Sequence, residues 1–376
     1  MALPTTQKKW IINGTQKGLD ELQYTEGPVP KVDDYSVLVK LHAASINYRD
    51  ILIPTGNFPF SLKLPVVGGS DGAGEVIDIG ARVTRWKKGD RVATLFNPGH
   101  QSGPLSRDAF LQGGFGGTID GTFQEYAVFE ETALVRLAAN LSYVEGASLS
   151  DAAVTAWNAL YGLKPLKPGE WVLVQGTGGV SLFAAQFAKA GGGRVIATTS
   201  SPAKAEILTQ LGVDHVILYP EDPNWGVTAK NLTPNHEGVE HIVEVVGADT
   251  MHQSLQAVKL EGVISVIGLI GGRDTPDTIA EAVRKICTLR GVHVGSRVQM
   301  EEMMAAIEAN KIQPVVDKRL FHLEELRDAL EYLVCCLLFH SISIPGCLLS
   351  RPSRLLANIV LQAAQRHVGK VVIKIV

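Results

Sequence analysis

Between Trp171 and Val294 the chain repeats one theme, a short β-branched run followed by a helix-length stretch of mixed polarity. The runs are Trp171 to Val174, Arg194 to Thr198, His215 to Leu218, His241 to Val246, Val263 to Ile267 and Val292 to Val294. Runs this apolar on both faces mark strands buried between two layers of helix, which is where parallel sheets occur. The stretches between them, such as Leu182 to Lys189 and Ala203 to Leu211, have the length and the Ala, Leu, Gln and Lys content of crossover helices. The pattern predicts an α/β architecture, a doubly wound parallel sheet with strand order 3-2-1-4-5-6.

Before Leu141 the texture changes. Strand-like runs at Tyr35 to Leu41, Gly74 to Ile79, Arg91 to Ala93 and Gln124 to Phe129 are separated by turns bearing glycine and proline, with little helical period. A compact, twisted β-rich domain follows. Its glycines gather in Gly68-Gly69-Ser70-Asp71-Gly72-Ala73-Gly74, where side chains would obstruct close backbone approach. Ser142 to Leu163 reads as a helical bridge into the second domain. Two domains also suit the length, since 376 residues exceed what one hydrophobic core usually supports.

Charge narrows the partners. A formal net charge of -3, with both signs scattered, supplies no basic field for nucleic acid or acidic lipid. A small molecule is the expected partner, with neither nucleic acid nor membrane. Four cysteines, Cys287, Cys335, Cys336 and Cys347, are too few and too clustered for a disulfide scaffold, which points to a reducing compartment. The N-terminal stretch lacks the apolar core of a signal peptide, and a cytoplasmic location is expected.

The first strand of the doubly wound half runs straight into Gln175-Gly176-Thr177-Gly178-Gly179-Val180-Ser181, and a helical pattern starts at Leu182. Glycines there let the backbone turn sharply and approach a pyrophosphate, whose charge lies against the free N–H groups and positive end of the helix. A glycine triplet alone is weak, but between strand and helix it reads as a dinucleotide site. The second strand ends Thr198-Thr199-Ser200-Ser201-Pro202-Ala203-Lys204, with no carboxylate before Glu206. An acidic residue near this point would accept from the ribose 2′-OH of NAD, whereas hydroxyls and an ammonium suit a 2′-phosphate. NADP(H) is therefore the expected cofactor. Ser200 or Ser201 could instead serve as a helix cap ahead of Pro202, and the two roles are compatible.

At this point the chain resembles the medium-chain dehydrogenase/reductase superfamily, in its zinc-independent, quinone-oxidoreductase-like branch. The residues that carry the likeness are Ala44-Ser-Ile-Asn47-Tyr48-Arg-Asp50, Pro65 to Gly74, Lys88-Gly-Asp-Arg-Val92, Gly121-Thr-Phe-Gln-Glu-Tyr126, Ala153-Val-Thr155-Ala-Trp157, the glycine turn, and His367-Val-Gly-Lys370-Val-Val. The resemblance implies a GroES-like catalytic domain over about residues 1–150, a Rossmann domain over 151–297, and a return to the catalytic domain over 298–376, interrupted at about 334–363. It implies cofactor contacts at Thr155, Lys204 and Tyr219, with further lining positions at Val246, Leu269, Ile270, Ser296, Arg297 and Lys370. It also implies a homodimer formed through the last Rossmann strand, here Val292 to Val294. Ser181 departs from the pattern, standing where many members have a third glycine.

Zinc-bearing relatives have a Cys where this chain has Asn47 and a His-Glu pair where it has Gly69-Ser70, and no Cys occurs before Cys287. Catalytic zinc needs thiolate, imidazole or carboxylate ligands around an open position, so no metal is expected. Without a Lewis acid, alkanol oxidation becomes difficult. Reduction of a quinone or an α,β-unsaturated carbonyl needs mainly orientation and donors for the charge developing on oxygen. Asn47 and Tyr48 supply such donors, and either Tyr48 or solvent delivers the final proton. Asp50 and Asp71, beside tight turns, read as holders of backbone N–H groups, and Arg49 as solvated or paired with a carboxylate. Two other classes compete: a metal-free alcohol or aldehyde dehydrogenase, and a non-catalytic NADPH-binding protein. The apolar, cysteine-bearing segment after Val334 is broken by His340, serines and Pro345, which argues against a membrane span. A retained intron would account for it.

Overall fold

The computed structural model describes residues 3–268, 278–341 and 368–375, without the side chains of 335–341. It divides into two compact units. One contains the chain up to Val154 together with Gly295–Phe339 and the C-terminal end; the other contains Thr155–Val294.

In the second unit six parallel strands lie in the order His215–Leu218, Arg194–Thr199, Trp171–Gln175, Val239–Glu244, Val258–Val266 and Thr288–Gly291. Numbered along the chain this is 3-2-1-4-5-6, the order the hydrophobic pattern predicts. The central strands are apolar on both faces because both faces are covered: Leu173, Ile196, Ile242 and Ile264 pack with Trp225, Met251 and Leu255 of the flanking helices. Helices Gly179–Ala190 and Pro202–Gln210 follow the first two strands. The sixth strand departs from expectation. It occupies Thr288–Gly291 rather than Val292 to Val294, with Leu289 opposite Ile264. This is an edge strand whose residues are largely exposed, so its sequence lacks the apolar signature that guided the prediction. Val294 has left-handed backbone, φ 49°, which ends extended structure there.

The first unit is built on strand Ser36–Ser45, which pairs antiparallel with Asp71–Ile79, Tyr126–Glu130 and the C-terminal Val372–Lys374. Arg91–Thr94 and Leu134–Arg136 extend the sheet on one side, and Phe321–His322 extends it on the other. A smaller sheet, Leu22–Pro28, Thr6–Ile12 and Val66–Val67, was not foreseen. Its Tyr24, Glu26 and Gln23 are partly or wholly exposed, so only one face carries apolar side chains. One core joins Trp10, Ile12, Ile46, Ile53 and Phe123 to Leu326, Leu330 and Leu333. Those three leucines recur at helical spacing on helix Leu326–Ser341. Gly74 has no freedom to be anything larger, because a Cβ there would collide with the Lys40 carbonyl across the strand pair.

The expected helical bridge over Ser142 to Leu163 is three pieces: helix Tyr143–Gly146, a π-helical turn at Leu149–Ala153, and helix Val154–Tyr161. Ser148 contributes to the break by donating its hydroxyl to the Glu145 carbonyl, 2.6 Å away, in competition with the backbone ladder.

Candidate active site

The glycine turn is where the sequence places it. Gly176 has φ 75°, and nothing lies within 4 Å of where its Cβ would be; the same space is open at Gly178. Gly178 is the N-cap of helix Gly179–Ala190, so Gly179, Val180 and Ser181 present the free N–H groups of its first turn. Ser181 closes the turn by donating to the Gln175 carbonyl at 2.6 Å. Gln175 in turn donates to Glu244 at 2.7 Å and accepts from the Val245 N–H at 3.2 Å.

Glu244 is a residue the sequence reading missed. Fully buried at the end of strand Val239–Glu244, its carboxylate also accepts from Ser254 at 2.6 Å, Thr250 at 2.7 Å, and the Val246 and Gly247 N–H groups at 3.0 and 2.9 Å. One side chain thus ties the glycine turn to the loop carrying Val246. The signal was the carboxylate in His241-Ile-Val-Glu244-Val-Val, since a charge inside an apolar strand needs partners.

At the end of the second strand Tyr219 and Ser200 are hydrogen-bonded through their hydroxyls, and burial pushes the Tyr219 phenol up. Ser201 is the N-cap of helix Pro202–Gln210 in backbone only; its hydroxyl accepts no capping hydrogen bond. Lys204 is nearly buried in the first turn of that helix. Buried Thr155 and Thr199 each leave Oγ1 without a hydrogen-bond partner among the described residues, and buried orphan hydroxyls fit a polar ligand. The open glycine turn and these hydroxyls fit a dinucleotide. Leu269 and Ile270 lie outside the described residues.

A second constellation lies in the first unit. The pairing of Val372 with Ser45 and the Ile46 N–H bond to Val371 at 3.1 Å carry Lys370 beside Asn47. Its ammonium donates to the Ile46 carbonyl at 3.1 Å and to Asn47 Oδ1, and lies 3.4 Å from Asp71 Oδ2. Asn47 Nδ2 reaches Ser70 Oγ at 3.3 Å, and Ser70 donates to Asp71 Oδ1 at 2.7 Å. Asp71 also accepts from Ser45 at 3.0 Å, so it holds side chains rather than the backbone groups expected of it. Asp50 does meet that expectation, accepting from the Asn47 N–H at 2.8 Å, but its other oxygen is buried without a partner. Burial raises the Asp50 carboxyl to about 6, against the opposing pull of Arg49.

Arg49 is buried and makes no ion pair among the described residues. It donates to the Phe115 carbonyl at 2.6 Å, with its guanidinium 5.2 and 4.7 Å from the centres of Phe58 and Phe96. Phe58, Phe60 and Phe110 stack edge to face, at 5.2 and 5.5 Å between centres, and Tyr48 is exposed. Ser296 caps helix Arg297–Asn310, while Arg297 donates to Gln101 at 2.5 Å and pairs with Glu301. Lys370, Ser296 and Arg297 are thus all placed in the first unit, each with protein partners.

Two family models match: alcohol dehydrogenase GroES-like domain over residues 33–139, and zinc-binding dehydrogenase over residues 179–309. A zinc-type alcohol dehydrogenase-like protein of Schizosaccharomyces pombe is 40% identical over 374 residues, 98% of this chain and 99% of the relative. The solved structure of an NAD-dependent alcohol dehydrogenase is 27% identical, with TM-score 0.79 over 98% of this chain and 100% of that one. A quinone oxidoreductase of Coxiella burnetii, 23% identical with TM-score 0.71 over 99% of this chain and 100% of its own, shares the fold.

The name of the second model implies zinc, and the residues here do not fit it. The Asn47 amide oxygen and the Asp71 carboxylate are engaged by a buried ammonium, which repels a second cation, and their neighbour Ser70 offers only a hydroxyl. Among the described residues no group of three His, Cys, Asp or Glu is placed to hold a metal. Identity of 40% across nearly the whole length, with both domain models and the two-unit fold, places the chain in the medium-chain dehydrogenase/reductase superfamily, and it is an oxidoreductase.

Proposed function

We propose that the protein transfers hydride from NADPH to an activated acceptor, a quinone or an α,β-unsaturated carbonyl, without a metal. The observation that carries the reading is the Asn47 amide: its oxygen is held by Lys370, so its Nδ2 faces away with a second N–H to offer an acceptor oxygen. Such a fixed donor stabilises charge that develops on that oxygen as hydride arrives. NADPH supplies the hydride. Gly176 to Val180 hold its pyrophosphate, and Ser200, Ser201, Lys204 and Tyr219 its 2′-phosphate. Thr155 and Val246 line the same cofactor, as do Leu269, Ile270, Ser296 and Arg297. The edge-to-face wall of Phe58, Phe60 and Phe110 favours a flat, apolar acceptor.

The protein works as a cytoplasmic homodimer in this reading. Support comes from the exposed edge strand Thr288–Gly291 and from Ile279, Val283 and Ile286, which are exposed at 77, 71 and 65%. Among the described residues no helix is long and apolar enough to cross a membrane.

The test follows reduced-nicotinamide absorbance with NADPH or NADH against quinones, enones, aldehydes and alcohols, with and without chelator. Chelator-resistant turnover of quinones or enones, faster with NADPH, is the expected result. Chelator-sensitive alcohol oxidation would replace the reading with that of the relatives' names, and tight NADPH binding without any turnover would make the protein a sensor.

A further inference from the structure

We propose that Asp151 is the proton donor of this reduction, a role that rests on the hydride-transfer reading above. Asp151 sits on the π-helical turn Leu149–Ala153, a backbone form that recurs at functional sites. The turn is fastened beside the Asn47 cluster. Ser150 Oγ lies 3.3 Å from Thr94 Oγ1, and Thr94 donates to the Ser70 carbonyl at 3.0 Å. Asp71 and Asp50 are enclosed, and each accepts at least one hydrogen bond. The Asp151 carboxylate instead has no hydrogen-bond or ion-pair partner among the described residues, and the residue is only partly buried.

A carboxyl crowded by protein, with no donors to stabilise its charge, favours the neutral acid. Desolvation and the neighbouring Asp71 and Asp50 push Asp151 up to about 7, while Lys370 and Arg49 pull the other way. The acid and its conjugate base are then both populated near neutrality, which is what a general acid requires.

The step balances. The acceptor carbon gains a hydride and its electron pair, one C–H bond breaking on NADPH and another forming on the acceptor. The negative charge moves to the acceptor oxygen, where Asn47 Nδ2 donates a hydrogen bond. The Asp151 O–H bond then breaks as the O–H bond of the hydroquinone or enol forms, and water reprotonates the carboxylate.

The experiment compares wild type with Asp151→Asn and Asp151→Glu, using NADPH and the best acceptor of the panel. Asp151→Asn is expected to lower kcat about 100-fold while leaving NADPH affinity unchanged. In wild type kcat should fall as pH rises through about 7, and the substitution should flatten that limb; Asp151→Glu should restore part of the rate. Infrared difference spectra, wild type minus Asp151→Asn, should show a protonated carboxyl that disappears over the same range. A kcat within about twofold of wild type with the same limb would overturn the assignment, as would a carboxyl already ionised at about pH 5. If no acceptor turns over, the hydride-transfer reading fails on the activity arm, while the infrared arm still decides whether Asp151 holds a proton at neutral pH.

Discussion

Each unit holds carboxylates beside its candidate site, and these differ in how many donors they meet. Glu244 receives five hydrogen bonds and is saturated. Asp50 accepts at one oxygen and leaves the other bare, and the Asp151 carboxylate accepts from no described residue. Donors aimed at a carboxylate stabilise its charge, and their absence stabilises its proton. Glu244 is therefore a fixed anchor for two loops, and Asp71 is held by donors in the same way, whereas Asp50 and Asp151 of the first unit can exchange protons near neutral pH. What a buried acid does is set by its donor count more than by its depth.

Removing the anchor tests one half of this contrast and should give the largest effect. Glu244→Ala leaves two backbone and three side-chain donors facing a void, and is expected to destabilise the protein by about 4 kcal/mol or more. Urea unfolding reads the loss. Affinity for the nicotinamide cofactor should fall with it, because Gln175 and Val246 lose a shared support. Lys370→Met comes next. It strands Asp71 without its counter-ion in a fully enclosed site, a change worth about 3–5 kcal/mol. Adding Asp71→Asn should recover much of the loss, and a purely additive double mutant would show that the ion pair is not the cause.

The acid side of the comparison predicts a smaller effect of unusual sign. Asp50 has its pKa raised in the folded protein from 3.8 to about 6. Folding therefore favours its protonated form, so its contribution is fully present below 3.8 and is lost as pH rises through about 6. Wild-type protein at about pH 8 should carry a penalty on the order of 2–3 kcal/mol from ionised Asp50. Asp50→Asn keeps an oxygen for the Asn47 N–H and removes the penalty. Its urea midpoint should exceed that of wild type at pH 8 and match it at pH 4. A midpoint lower than wild type at both pH values would mean that Arg49 outweighs burial.

The sequence exposed the doubly wound sheet in full order because buried parallel strands leave a dense run of branched residues. It did not expose the edge strand at Thr288–Gly291, where one side faces solvent and burial no longer dictates composition. The glycine turn was legible since only glycine suits the backbone at Gly176. Asn47 could be picked out, but what orients it could not. Lys370 comes from 323 positions away, and only the pairing of Val372 with Ser45 reveals the contact. Asp151 was passed over for a similar reason: its neighbours Asp71, Lys370, Arg49 and Asp50 are assembled from three separate stretches of chain.

The smallest prediction concerns Ser181, at the end of the glycine turn. Its hydroxyl donates to the Gln175 carbonyl, inside a helix that a glycine would weaken. Serine here supplies a specific bond across the turn. Ser181→Ala keeps the helix but removes that bond, and should cost about 1 kcal/mol, since the carbonyl is left buried. Ser181→Gly loses the bond and adds about 0.5 kcal/mol of helix propensity, so it should be the less stable of the two. Equal stability of wild type and Ser181→Ala in urea would show that the Gln175 carbonyl finds another donor, and that Glu244, through the Gln175 side chain, holds the turn without help.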